Sequence, residues 1–497
     1  MDLLHHLLYH PAFSMKCSLI LLLLSVVAQL GFTNALLYIP PLPKNDPFYA
    51  PPANLSKYLV GDIIDWRPTP QKIRTIYVPV NIQNSWQFKV RSTDSFGNPS
   101  AIITTLLQPY SADPTKLWSY QIAEDAAQLN CASSYAIQFA TQLNIEQQAE
   151  MIILETGLAK GWYVVVPDYE GLKSTFTAGW QSGHAVLDSI RAVLQTKDIT
   201  NLNHDAKVQM FGYSGGSLAT GWAVLLQSEY YPALTGQLIG TAIGGVTGNL
   251  TEIAIRNDGT IFAGFVALAL RGLLNEYPAL GHVLNEDVSA IDKAKFLSVT
   301  GNLCLIPAAV TYLFQTYFKG KWPLFKDGEQ FFNRADVKAV LNNNTMALNK
   351  DYGVPTCPIF IHHGKADEII PFDGAERVYN NWCEWGVQSC EFNVANTTGH
   401  ILELVEGCSA ALTWHTNRFA GIEPVSGCQR VERVTNLLYP GADLSTYQLL
   451  ITLIESVLGK QVGEGLNRSV NKVPVGFKTL EDFLVSALAK LGNLPFR

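Results

Sequence analysis

Residues 207–217, Lys-Val-Gln-Met-Phe-Gly-Tyr-Ser-Gly-Gly-Ser, restrict this chain more than any other stretch. An apolar strand runs straight into Gly212-x-Ser214-x-Gly216. A helix of small residues follows, with Gly215, Gly216, Ala219, Gly221 and Ala223 along it. A strand passes into a helix this abruptly only through a strained turn. In that turn a serine is held out above the sheet, and a Cβ at either flanking glycine would clash. The three-position pattern alone arises readily by chance. The strand before it and the helix after it give it weight.

The neighbouring segments supply a sheet for that turn. Trp86, Phe88 and Val90 alternate with polar residues, 94–99 is turn material, and 101–107 reads as a second strand. Together they predict a β-hairpin at a sheet edge. Residues 117–122 read as another strand. Asn144 and Gln147 form a possible capping pair for a helix through Met151, Ile152 and Leu154 that stops at Gly161. The apolar run 162–168 suits a central parallel strand buried on both faces. A helix over 183–196 aligns Val186, Ile190, Val193 and Leu194. Strands and helices in alternation predict a mostly parallel central sheet of the α/β class. A serine turn on such a sheet is the nucleophile elbow of the α/β-hydrolase fold.

The hydrolase core reads as interrupted. Residues 36–247 form its first part, beginning with an irregular wrap over 36–75 that carries eight prolines. Residues 248–350 are rich in apolar helical segments, such as 261–273 and 310–318, and too long for one crossover. They predict an inserted helical cap, or lid. The core resumes over 351–434, with strands at 357–364 and 390–394 and a helix over 409–419. Residues 435–497 hold two amphipathic stretches and read as a C-terminal helical extension.

Hydrophobic residues make up 48% of the chain, charged ones 15%, and net charge is -7. With no basic run, a nucleic-acid partner is excluded. The acidity also argues against tight attachment to an anionic membrane and leaves a neutral or lipidic substrate. Residues 1–35 read as a secretory signal peptide, with a possible start at Met15. Lys16 precedes the apolar run 18–30, and cleavage is expected after Ala35. The run is too short for a stable membrane span. A secreted, extracellular location follows. Cys131, Cys304, Cys357, Cys383, Cys390, Cys408 and Cys428 remain after cleavage, an odd number that requires a free thiol or an intermolecular bridge. No cysteine or histidine spacing suits a metal, and no cofactor is expected. Asn54, Asn249, Asn343 and Asn467 are candidate glycosylation sites. Asn396 is also a sequon, but it lies too near His400 to be expected to carry a glycan.

A serine hydroxyl attacks an ester only with a base in reach, and the base needs an orienting carboxylate. On this fold the order is serine, acid, histidine. The strand 357–363 ends in Gly364-Lys-Ala-Asp367-Glu368, and the next ends in Gly399-His400. Ser214 is therefore the candidate nucleophile, Asp367 the acid and His400 the base. Glu368 and Asp373 compete for the acid position. His362 and His363 read as structural, and His184, His204, His282 and His415 lack a strand-end context. An oxyanion needs two preset backbone donors. Gly215 supplies one, and the loop after strand 117–122 brings up Asp125, which either donates its N–H or caps the next helix.

In combination these stretches resemble the fungal secretory lipase family, of the yeast lipase A type. The resemblance also rests on Gly61-Asp62-Ile63-Ile64-x-x-Arg67-Pro68-Thr69-Pro70, Tyr120-Gln121-Ile122-x-Glu124-Asp125 and Pro167-Asp168-Tyr169-Glu170-Gly171, and it spans roughly 40–430. It implies a helical cap, a Ser-Asp-His triad, an oxyanion hole of Asp125 and Gly215, and disulfides Cys131–Cys304 and Cys383–Cys428. A further Cys390–Cys408 bridge straddling His400 would leave Cys357 free. The 435–497 tail is longer than the family's C-terminal flap.

The expected function is a secreted triacylglycerol lipase that hydrolyses fatty-acid esters through an acyl-enzyme, acting as a monomer on a lipid or ester substrate at a lipid–water interface. A short-chain carboxylesterase or sterol esterase is the near alternative. A serine peptidase would want a charged pocket, and none is visible. A non-catalytic binding protein would usually have lost a triad member.

Overall fold

The computed structural model describes residues 38–76 and 79–442. The expected signal peptide and nearly all of the 435–497 extension lie outside the described residues.

The chain opens with an antiparallel meander, β1 (Ile63–Pro68), β2 (Asn84–Thr93) and β3 (Pro99–Gln108), and continues into β4 (Asp113–Gln121). It then alternates: α1 (Ile145–Ala159), β5 (Trp162–Pro167), α2 (Gly179–Val193), β6 (Lys207–Tyr213), α3 (Gly215–Tyr230) and β7 (Leu238–Gly244). Six helices of seven or more residues follow before the sheet resumes. They are α4 (Leu250–Asn257), α5 (Ala263–Glu276), α6 (Gly281–Asp287), α7 (Ala290–Thr300), α8 (Leu305–Thr311) and α9 (Ala335–Asn343). The chain returns with β8 (Ile359–Gly364), α10 (Phe372–Glu384), β9 (Ser389–Ala395), α11 (His400–Phe419) and β10 (Gly427–Arg433).

The ten strands form one sheet in the order β1-β2-β3-β5-β4-β6-β7-β8-β9-β10. From β5 to β10 all pairings are parallel, while β1, β2 and β3 join antiparallel at one end. Two-residue alternation divides the strands between two cores. Tyr163 and Val165 pack with α2, α3 and α10, whereas Trp162, Val164 and Val166 pack with α1 and α11. A parallel sheet covered by helices on both faces must read as a continuous apolar run, which is why 162–168 was legible.

Four elements differ from expectation. β1 arises inside the proline-rich wrap and pairs with β2. Its exposed, polar edge carries little strand signal. β10 is missed for the same reason: its sequence Gly-Cys-Gln-Arg-Val-Glu-Arg is that of a charged edge strand. Asn144 occupies the N-cap of α1, yet its side chain makes no capping bond. Gln147 instead turns to the preceding segment, donating to the Cys131 carbonyl at 2.7 Å and accepting from Ser133 Oγ at 2.8 Å. α11 starts at His400 itself, two turns and more before the expected 409.

Disulfides join Cys131 to Cys304 and Cys383 to Cys428. The first ties the loop after β4 to the start of α8. The expected Cys390–Cys408 bridge does not form. Cys390 belongs to the core on the α10 face and Cys408 to the core on the α11 face, so the sheet separates them. Cys357, Cys390 and Cys408 are buried free thiols, and burial pushes all three above the ordinary thiol range, Cys357 to about 12. Among the candidate glycosylation residues Asn54 is exposed, Asn249 caps α4 through its Oδ1, Asn343 accepts from Tyr352, and Asn467 lies outside the described residues.

These thiols are protonated and shielded, so alkylating reagent should leave them untouched in the native protein. Alkylation after denaturation without reductant, read by peptide mass spectrometry, should label Cys357, Cys390 and Cys408 and none of Cys131, Cys304, Cys383 or Cys428. Labelling of the second set would refute the pairing.

Candidate active site

The carboxyl ends of β4, β6, β8 and β9 converge, and each delivers one side chain. In a parallel sheet this is the edge at which the chain leaves the hydrogen-bonded ladder and side chains are free to converge. After β6, Ser214 has φ 54° and ψ -119°, in the left-handed half of the map that non-glycine residues avoid. It is held there by its own N–H donating to the Gly244 carbonyl at 3.0 Å. Its carbonyl accepts from Ser217 Oγ at 2.6 Å and Thr247 Oγ1 at 2.9 Å. A Cβ on Gly212 would collide with the Gly216 backbone, and one on Gly216 with the Gln121 carbonyl of β4.

Ser214 Oγ lies 2.9 Å from His400 Nε2. His400 Nδ1 donates to Asp367 Oδ2 at 2.7 Å. The other Asp367 oxygen accepts the N–H groups of Ile369, at 3.0 Å, and Ile370, at 2.7 Å. The histidine backbone is clamped as well. Its N–H donates to Glu368 Oε2 at 2.8 Å, and its carbonyl accepts from Tyr213 OH at 2.6 Å. Glu368, a competing candidate acid, is thus spent on holding the histidine. Burial works against a charged His400, but the Asp367 carboxylate outweighs it and, with Glu368 and Asp125, holds the ring above the ordinary histidine range. Burial likewise opposes a charged Asp367, yet His400, His363 and the Ile370 N–H leave it below the usual carboxylate range.

His363 was expected to be structural, but it stands at the site. Its Nδ1 accepts the Val246 N–H at 2.9 Å, which leaves the proton on Nε2. That nitrogen donates to the Ile370 carbonyl at 3.2 Å and lies 3.3 Å from Asp367 Oδ2. Only its place one residue before the strand-end glycine hinted at this. His362 pairs with Glu403, Oε1 at 3.0 Å from Nδ1, on the far side. His184 and His415 are buried and shifted down by burial, to about 4 and about 3, away from the reacting group.

Asp125 also has a positive φ of 48° and sits against Gly215, where an added Cβ would collide with its carboxyl. Burial pushes that carboxyl up to about 7, against the pull of His400. The loop is braced from beneath. Glu150 accepts from Ala123 N–H at 2.9 Å and from Tyr120 OH at 2.8 Å. Glu124 and Glu170 face one another, and burial drives both well above the carboxylate range. Burial also raises Glu146 to about 7, Glu150 to about 8 and Asp168 to about 7. Asp168 accepts from the N–H and hydroxyl of Ser134.

Above Ser214 opens a largely apolar cavity. Asp125, Gly215 and Thr247 form its floor, and Leu250, Phe265, Leu273, Phe331 and Ile369 are among its apolar walls. α5 is fixed over it. Asn275 donates to the carbonyls of Ala127, Lys173 and Ser174, and Gly272 lies so close to Phe176 that any Cβ would strike its backbone.

This sheet and this strand-end arrangement define an α/β-hydrolase of the serine esterase class. The chain matches the secretory lipase family over residues 137–427, and it belongs to that family. Lipase 4 of Candida albicans is 44% identical over 446 residues, 88% of this chain and 96% of its own. Lipase A of Arthroderma benhamiae is 33% identical over 440 residues, 87% of this chain and 91% of its own. The crystal structure of Candida antarctica lipase A in its closed state superposes with a TM-score of 0.75 at 29% identity, covering 84% of this chain and 96% of that one.

The buried carboxyls give the stability a definite pH dependence. Their folded pKa values, about 7 for Asp125, Glu146 and Asp168 and about 8 for Glu150, exceed the unfolded value of about 4. The folded state therefore keeps protons that the unfolded chain releases, and their contribution is lost as pH rises. His184 and His415 act oppositely, but only below their unfolded value of about 6.5. Calorimetry should show Tm rising as pH is lowered from about 8 to about 6.5. Glu150→Gln should flatten that rise. A Tm that falls over this range would contradict the account.

Proposed function

We propose that this chain is an exported triacylglycerol lipase in which Ser214, His400 and Asp367 form the catalytic triad and the N–H groups of Gly215 and Asp125 bind the oxyanion. The observation that carries the reading is the 2.9 Å approach of Ser214 Oγ to His400 Nε2 at an apolar cavity. The Asp125 carboxyl packs on Gly215, where an added Cβ would collide with it.

His400 Nε2 takes the Ser214 proton as Oγ attacks the ester carbonyl. The C=O electrons move onto oxygen, and the tetrahedral oxyanion accepts from the two N–H groups. Collapse expels the alkoxide, which leaves as the alcohol with the proton from His400. Water then attacks the acyl-enzyme, gives its proton to His400, and releases the fatty acid while Ser214 regains a proton. Asp367 keeps the Nδ1 proton in place and stabilises the imidazolium. His363 and the Ile369 and Ile370 amides hold Asp367. Burial raises the Asp125 carboxyl beside the hole to about 7, which limits the negative charge next to the forming oxyanion.

Residues 248–350 serve as a cap whose apolar inner side shelters the acyl chain. Such walls suit an acyl group and offer a peptide terminus no charged partner, which favours the lipase over the peptidase. Walls of Leu250, Phe265, Leu273, Phe331 and Ile369 favour a fatty acyl chain over short or sterol-bearing substrates. Export rests on family membership and on the sequence of residues 1–35. Among the described residues no helix is long and apolar enough to cross a membrane.

Ser214→Ala should lower hydrolysis of emulsified triacylglycerol by roughly 10⁴-fold or more, with secretion and Tm retained. Undiminished activity would refute the assignment. The pH profile tests His400. It must be neutral to act as base, and its pKa is raised, so kcat/KM should fall on acidification at a pH above that of an ordinary imidazole. Glu368→Gln removes one of the charges that raise it while keeping an acceptor for the His400 N–H. The acid limb should move to lower pH. An unmoved or raised limb would count against this electrostatic account.

A further inference from the structure

The segment from α7 through residue 326 carries a second feature. Lys295 and Lys321 are exposed there beside Asp292, while Glu286, Asp287, Asp327 and Glu329 flank the segment. The same segment displays three large apolar side chains to solvent. Ile291 is 82% exposed, Trp322 81% and Phe314 64%. Ile291 and Lys295 lie one helical turn apart on α7. Lys295, Asp292, Gln315 and Trp322 line one shallow hollow. Lys321 Nζ stands 5.3 Å over the Trp322 ring, and Lys295 Nζ 5.9 Å over Tyr312. Phe314 is held at φ 59°, a strained value for a bulky residue, by its N–H donating to the Thr260 carbonyl.

These side chains stand on a fixed platform. Both carboxylate oxygens of Asp258 collect the N–H groups of Tyr317, Phe318 and Lys319. Asp287 receives the Lys326 and Asp327 N–H groups on its carbonyl and carboxylate. Between the clamps Phe318 and Phe325 turn inward and stack 5.5 Å apart, while Trp322 at the tip turns out. An indole and a lysine side by side are matched to a lipid headgroup layer, where the ring inserts and the ammonium meets anions.

We infer that this surface, centred on Trp322, Lys321, Lys295 and Ile291, docks the protein on an anionic lipid–water interface such as a fat surface carrying fatty-acid carboxylates. The inference rests on the lipase reading above, which supplies that surface as substrate and those carboxylates as product.

The test uses the full chain carrying Ser214→Ala, so that binding is measured without turnover, with phosphatidylcholine vesicles containing or lacking oleate. Co-sedimentation should favour the oleate vesicles and weaken with salt. Lys295→Gln with Lys321→Gln should lower partitioning about tenfold or more, and Trp322→Ser should lower it on both vesicle types. In the Ser214 background, the same substitutions should leave hydrolysis of a short, soluble ester unchanged and reduce hydrolysis of emulsified triacylglycerol. Unchanged partitioning would overturn the proposal, as would a self-association abolished by Trp322→Ser, which would assign the surface to a second copy. If the unsubstituted protein hydrolyses neither ester while the variants still lose partitioning, docking stands and the lipase reading falls.

Discussion

Everything at the reacting edge depends on how closely α3 can approach the sheet. Ser214 stays at a positive φ because β6 and α3 are pinned on either side of it, and that pinning needs backbone to lie against backbone. Gly216 rests on the Gln121 carbonyl of β4, and Gly212 on Gly216. The same approach draws the end of β4 toward the elbow. Asp125, four residues past Gln121, then packs on Gly215. One close contact therefore both holds Ser214 at a positive φ and brings the Asp125 carboxyl onto Gly215. A side chain at any of these glycines would disturb both at once.

The sheet and its catalytic edge were legible because their signals are local. A strand buried on both faces must be apolar throughout, and a strand-to-helix turn must carry glycines. Ser214, Asp367 and His400 could be nominated from chain order at strand ends, and the structure brings all three within hydrogen-bonding reach. The edge strands were not legible. β1 and β10 satisfy their backbone against one neighbour and expose the other side, so their residues follow solvent more than pairing. His363 reads as structural from sequence, and its particular partners, Val246 and Ile370, lie 117 and 7 residues away, beyond any local signal. The Cys390–Cys408 expectation failed for a related reason: residues that flank a histidine in sequence can still lie on opposite faces of a sheet.

The carboxyls packed beneath the Asp125 loop show a cost accepted for position. Glu124, Glu150 and Glu170 are buried, and unpaired charge there would be prohibitive. Held neutral, they act as hydrogen-bonding braces, and Glu150 fixes Ala123 just before the strained Asp125. A lysine or arginine partner would neutralise them at any pH, but it would also place a positive charge close to His400 and lower the basicity the reaction needs. Proton sharing among acids avoids that conflict, and stability above neutral pH is given up in return.

A net charge of -7 describes the whole chain, whereas a surface meets local groups such as the exposed Lys295 and Lys321 beside Trp322. At physiological salt, interactions fade within about 8 Å, so a surface responds to the patch it meets and not to the whole chain. The same stretch of backbone also reaches the cavity. Phe318 stacks on Phe325 and packs at a tilt on Phe331, and Phe331 is part of the wall over Ser214. Trp322 turns away from these rings, 81% exposed with Lys321 Nζ over it, so the backbone between the two phenylalanines divides its side chains between cavity wall and solvent.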